Sequence, residues 1–150
     1  MAFLSNHCLV LLSLFILITP LTFSQTPSIY DILKENGLPG GLLPKDVIKS
    51  YTLSQNGVLE VLLVRPCFTK FDTNALYETV VRANLTYGRL VGLEGLSQEE
   101  LFLWFPVKDI IVDDPKSGLI VINIGLAHKQ LSWSLFENPP DCKSDFLSKF

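Results

Sequence analysis

Histidine and cysteine are scarce in this 150-residue chain, with two of the first and three of the second. His7 and Cys8 fall in a leading apolar segment, which leaves His128, Cys67 and Cys142 for the rest. Four Cys/His ligands for a structural zinc site cannot be assembled from these, and a His-rich catalytic metal centre fails for the same reason. A Ser-His-Asp triad would have to use His128, but the sequence offers no G-x-S-x-G elbow to present a nucleophile. His128 itself sits in the polar stretch Ala127–Gln130 and reads as a solvated loop histidine. Asp109, Asp113 and Asp114 form the only carboxylate cluster, without the oxygen ligands of an EF-hand loop. Asp113 and Asp114 begin a Pro-Gly turn, where Asp is a normal turn former. No catalytic residue, metal or cofactor is expected.

Basic excess is also missing. Twelve Lys and Arg face fifteen Asp and Glu, a net charge of −3, which argues against a general nucleic-acid binder. There is no internal repeat and no low-complexity segment. The chain is too short for two full domains and, at 48 % hydrophobic, too apolar for disorder.

Charge is absent altogether from Met1 to Ser24. Leu9 to Ile18 is apolar but for Ser13; Pro20 then breaks any helix, and Thr22, Ser24 and Gln25 follow. A short apolar region, a breaker and small residues make a secretory signal peptide. Residues 1–24 are expected to be removed between Ser24 and Gln25, despite a leading region with no Lys or Arg. The alternative is a signal anchor retained in the membrane. No later segment is apolar enough to span. The expected location is extracellular, reached through the endoplasmic reticulum.

In that oxidising setting Cys67 and Cys142 read economically as one disulfide across 75 residues; the alternative is two free buried thiols. Asn84–Leu85–Thr86 is the only N-x-S/T sequon. Val81, Ala83, Leu85 and Tyr87 alternate with Arg82, Asn84 and Thr86, so Asn84 falls on the polar face, where a glycan is tolerated.

Ser28 to Asn36 reads as a short helix, with Ser28 as cap, Gly37 as stop and Ile29, Ile32 and Leu33 as its apolar stripe. Leu38 to Pro44 is a rigid connector with exposed-looking Leu42 and Leu43. Strands are expected at Ile48–Leu53 and Val58–Val64 around the Asn56–Gly57 turn, at Thr79–Tyr87 and at Arg89–Leu93. Ser97–Glu100 reads as a polar turn. Further strands follow at Leu101–Phe105, Val107–Asp113, Leu119–Leu126 and Gln130–Phe136. The fold class is mostly β (α+β): an antiparallel barrel or curled sheet of about eight strands with one N-terminal helix. Residues 25–142 form a single domain, and 143–150 a flexible tail.

Val61–Val64, Leu101–Phe105 and Leu119–Ile122 are apolar on both faces and need cover on the second side. The helix and the Leu42–Leu43 connector would give a plain core. A cavity for an apolar ligand is the alternative, with Leu42, Leu43, Phe102 and Trp104 as candidate ligand-facing residues.

The residues Leu38–Pro39 with Gly41–Leu42–Leu43–Pro44, Tyr51, Gly57, Cys67, Tyr87–Gly88, Leu93 with Gly95, Trp104 with Val107, Ile110–Val112, Gly125, Phe136 and Pro140 with Cys142 resemble a plant family known as domain of unknown function 538. The resemblance runs from Ile29 to Cys142. It implies a small, mostly antiparallel β domain with an N-terminal helix, similar to a piece of the lipid-binding bactericidal/permeability-increasing protein fold. It also implies an association with stress and with epidermal or trichome growth. A chlorophyll-binding or hydrolytic role has been suggested for some members, and no motif-defined catalytic site comes with it. The expected function is a secreted, monomeric, non-enzymatic binder of a lipid-like amphiphile. The alternatives are a hydrolase of esters such as pigment esters, dependent on His128, and a protein-interaction module at the cell surface using a patch at Leu42–Leu43.

Overall fold

The computed structural model describes residues 20–143. Most of the expected signal peptide and all but the first residue of the expected tail therefore lie outside the described residues. Helix α1 covers Ile29–Glu35. Ser28 caps it, its Oγ accepting from the Asp31 N–H at 3.1 Å. The helix stops at Gly37, whose φ of +72° a side chain would strain. There Leu38 N–H donates to the Leu33 carbonyl and Gly37 N–H to that of Lys34, which satisfies two terminal carbonyls.

Among the described residues nine strands follow: β1 (Ile48–Leu53), β2 (Val58–Leu63), β3 (Cys67–Lys70), β4 (Asn74–Thr86), β5 (Arg89–Glu100), β6 (Leu103–Pro106), β7 (Asp109–Ile111), β8 (Leu119–Asn123) and β9 (His128–Ser132). They form one antiparallel sheet in the order β1-β2-β4-β5-β7-β8-β9, with β3 also paired to β4 and β6 to β5. β1 and β9 end that order without pairing to each other, so the sheet is curled rather than closed into a barrel. The curl has a local cause. Tyr77 and Arg82 are five residues apart on β4, while their partners Leu96 and Glu94 are two apart on β5. The surplus on β4 bulges outward at Glu78–Val80, all exposed. Gly95 lies against it: a side-chain Cβ there would fall 2.0 Å from the Val80 carbonyl oxygen.

The cover over the concave face comes from the two ends of the domain. Leu42 and Leu43, expected to look exposed, are 3 % and 5 % accessible. They pack beneath a 3₁₀ turn (Trp133–Phe136) and the segment that follows it. Gly41 approaches that segment so closely that a Cβ would meet the Phe136 and Asn138 carbonyl oxygens at 2.4 Å. Lys45 N–H donates to the Pro140 carbonyl, and the Thr69 hydroxyl donates to that of Asp141. The disulfide Cys67–Cys142 fixes the arrangement, with an Sγ–Sγ distance of 2.08 Å.

Several strand expectations shift. Ser97–Glu100 is not a turn but the end of β5, because pairing with β4 on one side and β6 on the other outweighs its turn-like polarity. The turn falls instead at Leu101–Phe102, so Leu101–Phe105 is not a continuous strand and is not buried on both faces. Tyr87 leaves the buried face of its strand and lies 71 % exposed in the β4–β5 turn, its ring over Gly37. The last expected strand divides into β9 and the 3₁₀ turn.

The choice between core and cavity goes to core. Two interior voids, both touching Leu42 and Tyr77, measure about 20 Å³ each. Each has room for about one water molecule and not for an amphiphile.

A candidate functional site at the apex of a hairpin

Leu42 and Leu43 therefore belong to the core, whereas Phe102 and Trp104 lie elsewhere, on the β5–β6 hairpin. The four do not line a common cavity. The hairpin register pairs Glu100 with Leu103 and Glu99 with Trp104, leaving Leu101 and Phe102 as the two residues of the turn. Both have positive φ, +49° and +67°. Two consecutive left-handed residues define the tight hairpin turn that Asn-Gly normally makes. For side chains as large as Leu and Phe this conformation costs about 1–2 kcal/mol per residue.

Nothing in the domain repays that cost by burying them. Leu101 is 89 % and Phe102 93 % exposed, and Leu103 beside them is also exposed. The apolar strip continues down the hairpin to Trp104, whose ring meets Phe68 of β3 edge-on at 6.2 Å. The Lys143 ammonium lies 6.0 Å above the Phe68 ring.

Beside the apex an open groove of about 500 Å³ runs between the hairpin and the β3–β4 turn. Lys70, Asp72 and Glu99 give it charges of both signs, and Asn74 adds a neutral amide. Asn74 Nδ2 donates to Glu99 at 2.7 Å. Next to it Lys129 of β9 reaches across to Asp72 at 3.2 Å and to the Glu100 carboxylate. The buried Gln98 amide donates to the same Glu100 at 2.9 Å. This clasp ties the free edge β9 to the far side of the curl, over the mouth of the void beside Phe71 and Phe136.

The other residues singled out in the sequence are dispersed. His128 is exposed at the start of β9. Asp109 is structural: its carboxylate accepts from Gly92 N–H at 3.0 Å and from the Asn123 amide at 2.8 Å. Asp113 pairs with Arg89 at 3.4 Å, and Asp114 caps its turn by accepting from Lys116 N–H. Among the described residues no group of His, Cys, Asp and Glu is placed to hold a metal ion. Asn84 is exposed near the end of β4. Ser24 and Gln25 lie in an irregular approach, residues 20–28, that is exposed throughout.

Two tyrosines have raised pKa values. Tyr77 is the stronger case: complete burial alone holds its hydroxyl protonated. Tyr30 is raised by burial first and by the negative charge of Asp46 second. Both donate to backbone carbonyls of the connector, Tyr77 to Leu42 at 2.6 Å and Tyr30 to Pro44 at 2.7 Å. They hold the connector down.

The family model described as a protein of unknown function, DUF538, matches residues 29–137. No curated protein and no solved structure was found to match. The matched span includes the hairpin apex, the clasp and the connector.

Proposed function

The chain belongs to the DUF538 family, and from that premise we propose that it is a secreted, non-enzymatic protein that binds a lipid-like amphiphile through its β5–β6 hairpin. One observation carries the reading: Leu101 and Phe102 stand about nine-tenths exposed in a conformation that their own side chains disfavour. An apolar pair held out at energetic cost is a feature of binding rather than of folding. The groove alongside carries both signs of charge, which suits a zwitterionic or neutral head group. Burying Leu101 and Phe102 in an apolar phase is worth about 3–6 kcal/mol together, so the association is weak and reversible.

Secretion is supported by the exposed approach. Residues 20–25 are exposed, Leu21 and Phe23 to 92 % and 90 %, so the domain does not use them for its core. The approach first meets the sheet at Pro27, whose carbonyl accepts from the Tyr51 hydroxyl. Among the described residues no helix is long and apolar enough to cross a membrane. The plant setting, with stress or epidermal growth as the context, accompanies the family resemblance.

The test is co-flotation of the protein, purified from the medium of a eukaryotic host, with phosphatidylcholine vesicles. The native protein floats, and the Leu101→Ser/Phe102→Ser variant loses at least about tenfold in partition, the size set by the apolar area removed. Equal flotation of both, or of neither, overturns the reading. A cell-surface protein is the second candidate for the same apex. Binding to membrane-protein extracts without binding to pure lipid favours it.

A further inference from the structure

Asn84 lies on the convex face of the sheet, opposite the cover. On that face β2 and β5 place Val58 and Val91 directly across from it. Thr86, two residues on, is exposed on the same side. Between Arg82 and Asn84 the partner strand carries one extra residue, a bulge at Gly92 with φ +63°. Gly92 leaves open space beside the amide: the one heavy atom that a Cβ there would meet within 4 Å is Asn84 Nδ2, at 4.0 Å. Val91 is 39 % exposed and Val58 half-buried, so two apolar side chains flank a polar, modifiable amide with clear room above a glycine.

We propose that Asn84 carries an N-linked glycan whose first sugar lies against Val58 and Val91, in the space that Gly92 leaves open. The bond formed joins Asn84 Nδ2 to the anomeric carbon of an N-acetylglucosamine. A lipid-linked pyrophosphate is the leaving group, and the amide gives up one proton. The transfer occurs on the translocating chain before β4 is paired, so the strand setting does not block it. Thr86 supplies the hydroxyl that the sequon requires. In the folded domain the apolar face of the sugar covers part of the two valines. The glycan then occupies the convex face and leaves the hairpin apex as the free apolar surface.

This rests on the secretory reading, and one preparation separates the two. The full chain is expressed in a eukaryotic host, and N-terminus and mass are read on the same material. The expected result is a chain from the medium that begins at Gln25 and carries a mass excess. Peptide N-glycosidase removes that excess and leaves aspartate at position 84. Asn84→Gln and Thr86→Ala each abolish the excess, and Thr86→Ser retains it. A medium-derived chain beginning at Gln25 with unmodified Asn84 overturns the glycan and leaves secretion standing. A cytosolic chain with Met1 intact overturns both. For the contact, trimming to the first sugar should leave Tm unchanged, and complete removal should lower it by about 2–4 °C. Equal Tm for the trimmed and bare forms overturns the packing against Val58 and Val91.

Discussion

The hydroxyl of Tyr77, fully buried in strand β4, donates to the carbonyl of Leu42, thirty-five residues earlier in the connector. Tyr77→Phe removes the donor and leaves that carbonyl buried without its partner. The expected loss is about 1–3 kcal/mol, read as a lower urea midpoint with an unchanged slope. The same bond predicts a pH dependence. The folded pKa of Tyr77 is raised above the ordinary 10.0, so the stability it gives is complete below pH 10. It is lost as the pH rises above that, by up to about 1.4 kcal/mol per unit while unfolded tyrosine ionises and the folded one does not. Tyr77→Phe should flatten this decline, with the residue of it belonging to Tyr30.

The Cys67–Cys142 bridge closes 75 residues of chain. Chain entropy puts its contribution at about 4 kcal/mol, an upper figure because measured bridges often give less. Cys67→Ser/Cys142→Ser should lower stability by about 2–4 kcal/mol in denaturant titration. It should also make residues 137–143 the first site of limited proteolysis, since they are held to β3 and the connector largely by this bond and a few backbone contacts.

Two glycines give losses of different size on substitution. Gly41→Ala would drive a methyl group into two backbone carbonyls at 2.4 Å, and neither has a flexible end to yield. It should cost about 3 kcal/mol. Gly118→Ala meets open space and bears only the left-handed strain of φ +69°, about 1–2 kcal/mol. Thermal unfolding of the two variants side by side checks the order; equal losses would mean that the connector does not sit so close.

At the hairpin apex, stability and binding should move in opposite directions. Leu101→Asn/Phe102→Gly installs residues suited to the turn. It should raise stability by about 1–2 kcal/mol while abolishing vesicle flotation. Urea titration and flotation on the same preparation read both effects.

The parts of the fold set by local chemistry were legible. Ser28 and Gly37 bound the helix, Asn56–Gly57 makes its turn, and Cys67 and Cys142 are bridged as their even number suggested. What was misread depends on contacts distant in sequence. β3 is four residues without a distinctive pattern, and it exists because β4 extends back to Asn74 to pair with it. Leu42 and Leu43 look exposed until the C-terminal segment folds over them. The apex was hidden for a different reason. Leu101–Phe105 has strand composition, and its turn is made by two residues with no turn chemistry. The place where local propensity and observed structure disagree most is therefore the place where a function is proposed.

The cover over the concave face joins the first elements of the domain to its last ones, through Gly41, Lys45, Asn138, Pro140 and Cys142. During synthesis the connector leaves the ribosome long before its counterpart. All the described strands can be extruded before that segment is available to cover Leu42 and Leu43. The cover is completed only once residues 137–142 have been made, and with them the partner of Cys67. A chain stalled or truncated ahead of Pro140 would leave Leu42 and Leu43 uncovered and Cys67 without its partner, an apolar surface that chaperones and proteases can recognise.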